Sequence, residues 1–168
     1  MNFETFESQV LPTKNKLFRF AFRLLGNSED AKDVVQEVMI KIWNGHEDGI
    51  QNMEAWCMRV TKNLSLDKLR SSQRKQTESL DGVDVKQEAL SPYERTEIQE
   101  HMTRINELMA NLPDKQREVM HLRDIEGHSY NEIGEILEID LSQVKVYLFR
   151  ARNAVREKLL KLNAYGLG

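Results

Sequence analysis

Residues 129–162 read SYNEIGEILEIDLSQVKVYLFRARNAVREKLLKL, and their spacing decides the fold. Two helix starts are written into this stretch. Ser129 followed by Glu132 is a capping box, in which each side chain satisfies a backbone N–H that the first turn leaves unpaired, and Asp140 with Gln143 repeats the spacing. About two turns of helix fit between the two starts, and Gly134 lies inside them, small enough to let a second helix approach closely. The stretch therefore predicts a short helix, a tight turn and a longer helix. On the longer helix Leu141, Val144, Leu148, Ala151, Val155, Leu159 and Leu162 recur at the helical period and predict one buried stripe.

The opposite side carries Ser142, Lys145, Val146, Phe149 and Arg150, followed by Arg152 and Arg156. Basic side chains flanking residues able to touch base edges suit a helix lying in a DNA major groove, where phosphate contacts position and base contacts specify. The alternative is a solvated basic helix on a helical bundle. Two caps at this spacing, the small Gly134 and the apolar Phe149 favour DNA binding.

Composition narrows the class. A chain of 168 residues makes one or two small domains, and 40% hydrophobic with 30% charged residues describes a soluble protein with modest cores. No charged-then-apolar leader and no long apolar run is visible, so neither secretion nor membrane insertion is expected. The single cysteine, Cys57, excludes an internal disulfide and fits a reducing cytoplasm. A net charge of −3 argues against a simple nucleic-acid binder, which is usually basic throughout. The charge is uneven, however. Residues 59–75 hold Arg59, Lys62, Lys68, Arg70, Arg74 and Lys75 against Asp67, whereas residues 78–100 hold Glu78, Asp81, Asp84, Glu88, Glu94, Glu97 and Glu100 against Lys86 and Arg95. Two basic patches separated by an acidic connector predict two DNA contacts and at least one surface with another purpose.

Working outward towards the N-terminus, residues 3–11 predict a first helix ending near Pro12, and Lys14 to Leu25 a second ending at Gly26. Ser28 is the expected cap of the next helix, Glu29 to Trp43, whose core face is Ala31, Val34, Val35, Val38, Met39, Ile42 and Trp43. Its reverse face is Asp33, Gln36, Glu37, Ile40 and Lys41. A solvated face is the default there, but an apolar Ile40 ringed by acids and an amide suits a partner protein with basic residues. After a loop at Asn44 to Gln51, Asn52 is the expected cap of a helix to about Ser71. Its buried face is Met53, Trp56, Cys57, Val60 and Leu64, and Arg59, Lys62, Asn63, Leu66 and Arg70 form a basic stripe. That stripe reads either as an exposed helix end or as a second nucleic-acid surface, with Asn63 placed to bond a base.

Periodicity fades from about Gln73 to Ser91, and Pro92 follows. Roughly 20 residues extended at ~3.3–3.6 Å each reach about 70 Å, about two turns of duplex at ~34–36 Å per turn. A helix from Tyr93 to Asn111 and another beginning at Pro113 and ending at Gly127 complete a four-helix C-terminal domain. The fold class is thus all-α: a helical bundle over residues 1–75, a flexible linker over 76–92, and a domain with a helix-turn-helix over 93–168.

Four runs, DAKDVVQEVMIKIW, AWCMRVTKNLSLDKLR, LPDKQREVMHLRDIEGHSYNEIGEIL and SQVKVYLFRARNAVREKL, together resemble the extracytoplasmic-function (ECF) group of bacterial sigma factors, in that family's order and over nearly the whole chain. The resemblance implies a dissociable, non-catalytic initiation subunit that directs core RNA polymerase to promoters and helps melt them. It implies core-polymerase contacts at Asp33, Gln36, Glu37, Ile40 and Lys41. Reading of the −10 element falls to Arg59, Lys62, Asn63, Leu66, Arg70 and Arg74, with loop 44–51 cradling an unstacked base. The −35 element is read through Ser142, Gln143, Lys145, Val146, Phe149 and Arg150, with Arg123 and Tyr130 turned towards phosphates. Partners are core RNA polymerase, promoter DNA and an anti-sigma factor; no cofactor, metal, catalytic residue or small-molecule substrate is implied. Val146 departs from the family, where a small polar residue is frequent, and an apolar residue there suits a thymine methyl.

A dimeric helix-turn-helix repressor or response regulator is the rival class; it predicts a sensor domain or a dimer interface, and neither a ligand pocket nor a phospho-acceptor constellation is visible in the sequence. A hydrolytic or metal enzyme built on His46, His101, His121 and His128 is a third, but no HExxH, paired cysteine or glycine-rich phosphate loop occurs.

Overall fold

Apolar residues at the helical period, punctuated by caps, can be buried only by packing helix on helix. A computed structural model describes residues 1–45, 49–78 and 97–164, and it is all-α, with no strand among the described residues. The helices are α1 (Phe3–Thr5), α2 (Lys14–Leu25), α3 (Ser28–Asn44), α4 (Met53–Glu78), α5 (Glu97–Ala110), α6 (Asp114–Met120), α7 (Tyr130–Leu137) and α8 (Leu141–Ala164). They divide into two compact units, the main division falling after Glu88.

In the first unit α2, α3 and α4 pack pairwise on one another. Leu17, Phe20, Ala21 and Leu24 of α2 meet the buried face of α3, which is Ala31, Val34, Val35, Val38 and Ile42. Cys57, Met58 and Val60 of α4 close the core. Two expectations need correction here. Pro12 does not end the first helix: five π-helical residues (Phe6–Val10) and a 3₁₀ turn (Leu11–Thr13) carry the chain into α2. The ring is tolerated because it lies in the first turn of the 3₁₀ segment, where a missing N–H costs little. The cap of α3 is Asn27 rather than Ser28. Asn27 is extended (φ −137°, ψ 125°) and its side chain accepts from the Asp30 N–H at 3.0 Å, while Ser28 is already helical.

Other expectations hold with adjustments. Gly26 ends α2 at φ 69°, its N–H donating to the Phe22 carbonyl at 2.8 Å. Asn52 caps α4, accepting from the Ala55 N–H at 3.0 Å. The helix runs past Ser71 to Glu78, since no Gly or Pro interrupts that segment. Met39 is only half-buried, and Trp43 remains 41% exposed, with its ring edge-on to Phe6 at 5.2 Å.

The second unit buries Met109, Leu112, Val119, Leu122, Ile133, Val144, Leu148, Ala151 and Val155, with α8 packed on α5 and α6. Arg117 closes the α5 terminus, its Nη1 donating to the carbonyls of Ala110 and Leu112 at 3.2 Å each. A π turn (His121–Ile125) extends α6 and stops at Gly127, φ 76°. Leu141, expected in the buried stripe, is 42% exposed, because the first residue of α8 lies past the edge of the packed face. Leu159 and Leu162, at the other end of the stripe, are half-buried. Of the expected linker, residues 76–78 belong to α4; the remainder, with Tyr93, lies outside the described residues.

Candidate nucleic-acid and polymerase interfaces

The helix-turn-helix is set by its two caps and its turn. Ser129 Oγ accepts from the Glu132 N–H at 3.1 Å, and the Glu132 carboxylate meets His128 Nδ1 at 2.8 Å. The hydrogen bond from His128, joined by bonds from Ser129, holds the Glu132 carboxyl below the usual glutamate range against the opposing pull of partial burial. At the turn the Ile139 N–H reaches the Gly134 carbonyl at 3.1 Å while Glu138 sits at φ 57°, the Schellman arrangement with a non-glycine left-handed residue. A Cβ built on Gly134 would lie 3.0 Å from the Ile139 carbonyl oxygen and 3.9 Å from Val144 Cγ2. The tight contact is therefore the backbone of the turn and not the second helix, which an added Cβ would meet only at ordinary van der Waals distance. Asp140 then opens α8. Its Oδ1 accepts from the Gln143 N–H at 3.0 Å and from Ser142 Oγ at 2.8 Å, and Gln143 Oε1 accepts from the Asp140 N–H at 3.1 Å.

This cap presents one face of α8 to solvent. Ser142, Gln143, Lys145, Val146, Phe149 and Arg150 are all exposed; Val146 is 44% and Phe149 68% accessible. Between Leu141 and Arg156 the helix has no acidic residue. Arg123 and Tyr130 are half-buried and engaged with each other. The Arg123 guanidinium lies 4.9 Å from the Tyr130 ring centre, and its Nη1 donates to the His128 carbonyl at 2.9 Å. Arg152 makes a two-pronged pair with Asp124, Nε to Oδ2 at 3.0 Å and Nη2 to Oδ1 at 2.5 Å, which raises its pKa above the ordinary arginine value.

Reading the sequence missed this last pair, because a single aspartate 28 residues from its arginine leaves no periodic trace. It also missed a buried polar layer below the motif. Glu118 is 2% exposed with Lys115 Nζ 3.4 Å away, and burial pushes its carboxyl up. His121 Nε2 stands 3.4 Å from Glu126 Oε1, both side chains buried.

In the first unit the reverse face of α3 is solvent-facing: Asp33, Gln36, Glu37, Ile40 and Lys41 are exposed, Ile40 by 61%. Asp33 also pairs with Lys68 of α4 at 3.3 Å. Beside this face a groove of about 690 Å³ is lined by Lys14, Asn15 and Phe18 from α2 and Lys32, Val35, Gln36, Met39 and Ile40 from α3. Ile40 is thus one wall of an apolar cleft. On α4 Arg59, Asn63, Arg70 and Arg74 are exposed and Leu66 half-buried. Lys62 departs from the expected exposed stripe. It is 4% accessible, one turn beyond Met58 and one before Ser65, on the inward-facing row. Of loop 44–51, residues 46–48 lie outside the described residues. No group of three or more His, Cys, Asp or Glu is placed to hold a metal, and no helix is long and apolar enough to cross a membrane, among the described residues.

Two all-α units, one ending in a helix-turn-helix with a basic and apolar outer face, the other showing an acidic and apolar helix face beside a cleft, define a promoter-reading subunit of RNA polymerase. Residues 10–75 match the sigma-70 region 2 family and residues 102–155 the sigma-70 region 4 family, and the chain belongs to the ECF RNA polymerase sigma factors, which direct the polymerase to promoters. The ECF sigma factor SigW of Bacillus subtilis is 31% identical over 162 residues, 89% of this chain and 86% of that one. The ECF sigma factor SigE of Mycolicibacterium smegmatis is 33% identical over 154 residues, covering 88% of this chain and 58% of its own length. Among solved structures, the sigma factor RpoE of Bartonella quintana, crystallised with the anti-sigma factor NepR, superposes with a TM-score of 0.78 at 27% identity, covering 95% of this chain and 98% of that one. CnrH, solved in complex with the cytosolic domain of CnrY, shares the fold at a TM-score of 0.69 and 22% identity, over 94% of this chain and 89% of that one.

Proposed function

We propose that the two units divide the work of promoter recognition. The C-terminal unit reads the −35 element through Ser142, Gln143, Lys145, Val146, Phe149 and Arg150. The observation that carries this is the exposed, acid-free outer face of α8 from 141 to 156, held out by the Asp140 cap. Cations there meet phosphates, and the residues between them reach base edges. Arg123 and Tyr130 act as one unit at the base of the motif, positioning the α6–α7 corner and offering positive charge to the DNA backbone. Arg152, neutralised by Asp124, steadies α8 instead of adding a phosphate contact.

The N-terminal unit docks on core polymerase through Gln36, Glu37, Ile40 and Lys41, with Asp33 shared between that contact and Lys68. A partner helix laying an apolar side chain into the cleft beside Ile40, with basic residues against Glu37, satisfies both the shape and the charge. On α4, Arg59, Asn63, Leu66, Arg70 and Arg74 face the −10 element and its opened strand. The acidic connector after α4 spans the gap through the polymerase. An anti-sigma factor is a further partner, as the Bartonella sigma factor has one in its crystal. The chain has no catalytic activity of its own, requires no cofactor and works in the cytoplasm.

Run-off transcription with purified core polymerase tests the reading. Addition of the chain gives promoter-specific transcripts. Arg150→Ala lowers them at −35-dependent promoters while polymerase binding is kept, and Glu37→Lys lowers polymerase binding itself. Binding to an operator that neither needs nor is altered by polymerase would overturn it.

A further inference from the structure

The outer face of α8 holds a feature that general DNA affinity does not require. Val146 and Phe149 are apolar, exposed by 44% and 68%, and three residues apart on one helix face. Neither packs into the core of the unit, whose α8 stripe is Val144, Leu148, Ala151 and Val155. They are flanked by exposed Lys145 and Arg150, so the patch lies between two cations and not within an apolar surface suited to a protein partner.

We infer that Val146 and Phe149 form a reader of 5-methyl groups, selecting thymines at one or two adjacent positions of the −35 element. This rests on α8 being the −35 helix. Three residues advance a helix by about 4.5 Å, close to the ~3.4 Å step between base pairs, so the two side chains address neighbouring steps. In the major groove thymine alone among the four bases offers a methyl group, while cytosine and adenine present an amino donor there. An alkyl or phenyl group pressed against that donor leaves it unpaired, so discrimination runs in one direction, towards thymine. Ser142, one turn before Val146, and Arg150 beyond it can supply hydrogen bonds to bases on either side. Val146 therefore sets preference at one position by contact with a methyl, where a small polar residue would tolerate several bases.

The test uses holoenzyme made from core polymerase and the full chain, with promoter duplexes randomised across the −35 positions. Selection by wild-type protein yields thymine at one or two adjacent positions. Replacing those thymines by deoxyuridine, which removes only the methyl, weakens binding about 3–5-fold, the scale of one buried carbon. Val146→Ser binds the thymine and deoxyuridine duplexes equally at one of those positions and keeps its discrimination elsewhere. If wild-type protein selects a −35 sequence yet binds its thymine and deoxyuridine forms alike, the methyl reader is wrong and the −35 assignment stands. If no −35 preference emerges while −10-dependent transcription persists, both fail. Because deoxyuridine changes only the DNA, misfolding of a variant cannot produce either result.

Discussion

Asp140→Ala removes the residue that orients α8, and the structure sets the size of the loss. Two of the three cap interactions vanish: the bond from the Gln143 N–H at 3.0 Å and that from Ser142 Oγ at 2.8 Å. The third, from the Asp140 N–H to Gln143 Oε1 at 3.1 Å, survives because it uses backbone. All three residues are exposed, so water replaces the lost partner and the cost is that of an exposed cap, about 1 kcal/mol. Loss of the carboxylate from the positive end of the α8 dipole adds about 0.3–1 kcal/mol. Asp140→Asn keeps the oxygen acceptor and loses only the charge, so it should show the second part alone. Tryptophan fluorescence would miss the effect, since Trp43 and Trp56 both lie in the first unit. Amide hydrogen exchange over residues 141–155 reports it directly. Opening there should quicken about 10–30-fold in Asp140→Ala and about 2–5-fold in Asp140→Asn, by the free energies above. Equal effects from the two variants would mean that charge alone matters and the hydrogen-bonded cap does not, which would refute the reasoning.

Three further outcomes follow from particular side chains. Ile40→Ala should change folding stability by less than about 0.5 kcal/mol, since the side chain is exposed, yet weaken binding to core polymerase about 10-fold in a competition assay; unchanged affinity would remove the cleft from the docking surface. The Glu132 carboxyl, depressed in the folded state, contributes stability above the ordinary glutamate pKa that is lost as pH falls through its lower folded value. Calorimetry between about pH 6 and 3 should therefore show the second unit destabilised on acidification, and less steeply in Glu132→Gln, which keeps the cap but cannot titrate. The Cys57 thiol is buried and pushed up to about 12, so in the native protein it should react with iodoacetamide at pH 8 roughly a thousandfold more slowly than a free thiol. A native rate near that of a small peptide would contradict its place in the core.

Local chemistry was legible wherever a residue acts on its own helix. Ser129 with Glu132, Asp140 with Gln143, Asn52, Gly26 and Gly127 each work on backbone within a few residues, and all appear where the spacing puts them. The stripes of α3 and α8 were readable for the same reason, apart from Met39 and Trp43 in the first and Leu141, Leu159 and Leu162 in the second. The misplaced cap of α3 shows the margin: Asn27 and Ser28 are both good caps, and only the backbone angles choose between them. The order of four motifs was enough to name the family.

What tertiary structure alone decided is the fate of individual charges. Arg152 and Lys145 look alike in sequence, yet Asp124, brought in from the π turn after α6, neutralises the first and leaves the second facing solvent. Arg123 is engaged by Tyr130 and a carbonyl, Asp33 by Lys68, and Lys62 is nearly buried while Arg59 is exposed. The cleft beside Ile40 exists only because α2 and α3 meet with their lysines at its edge. Helical period and caps are one-dimensional signals, carried by residues three or four apart. Which cations remain available to DNA or polymerase depends on partners tens of residues away, and no spacing in the chain encodes that.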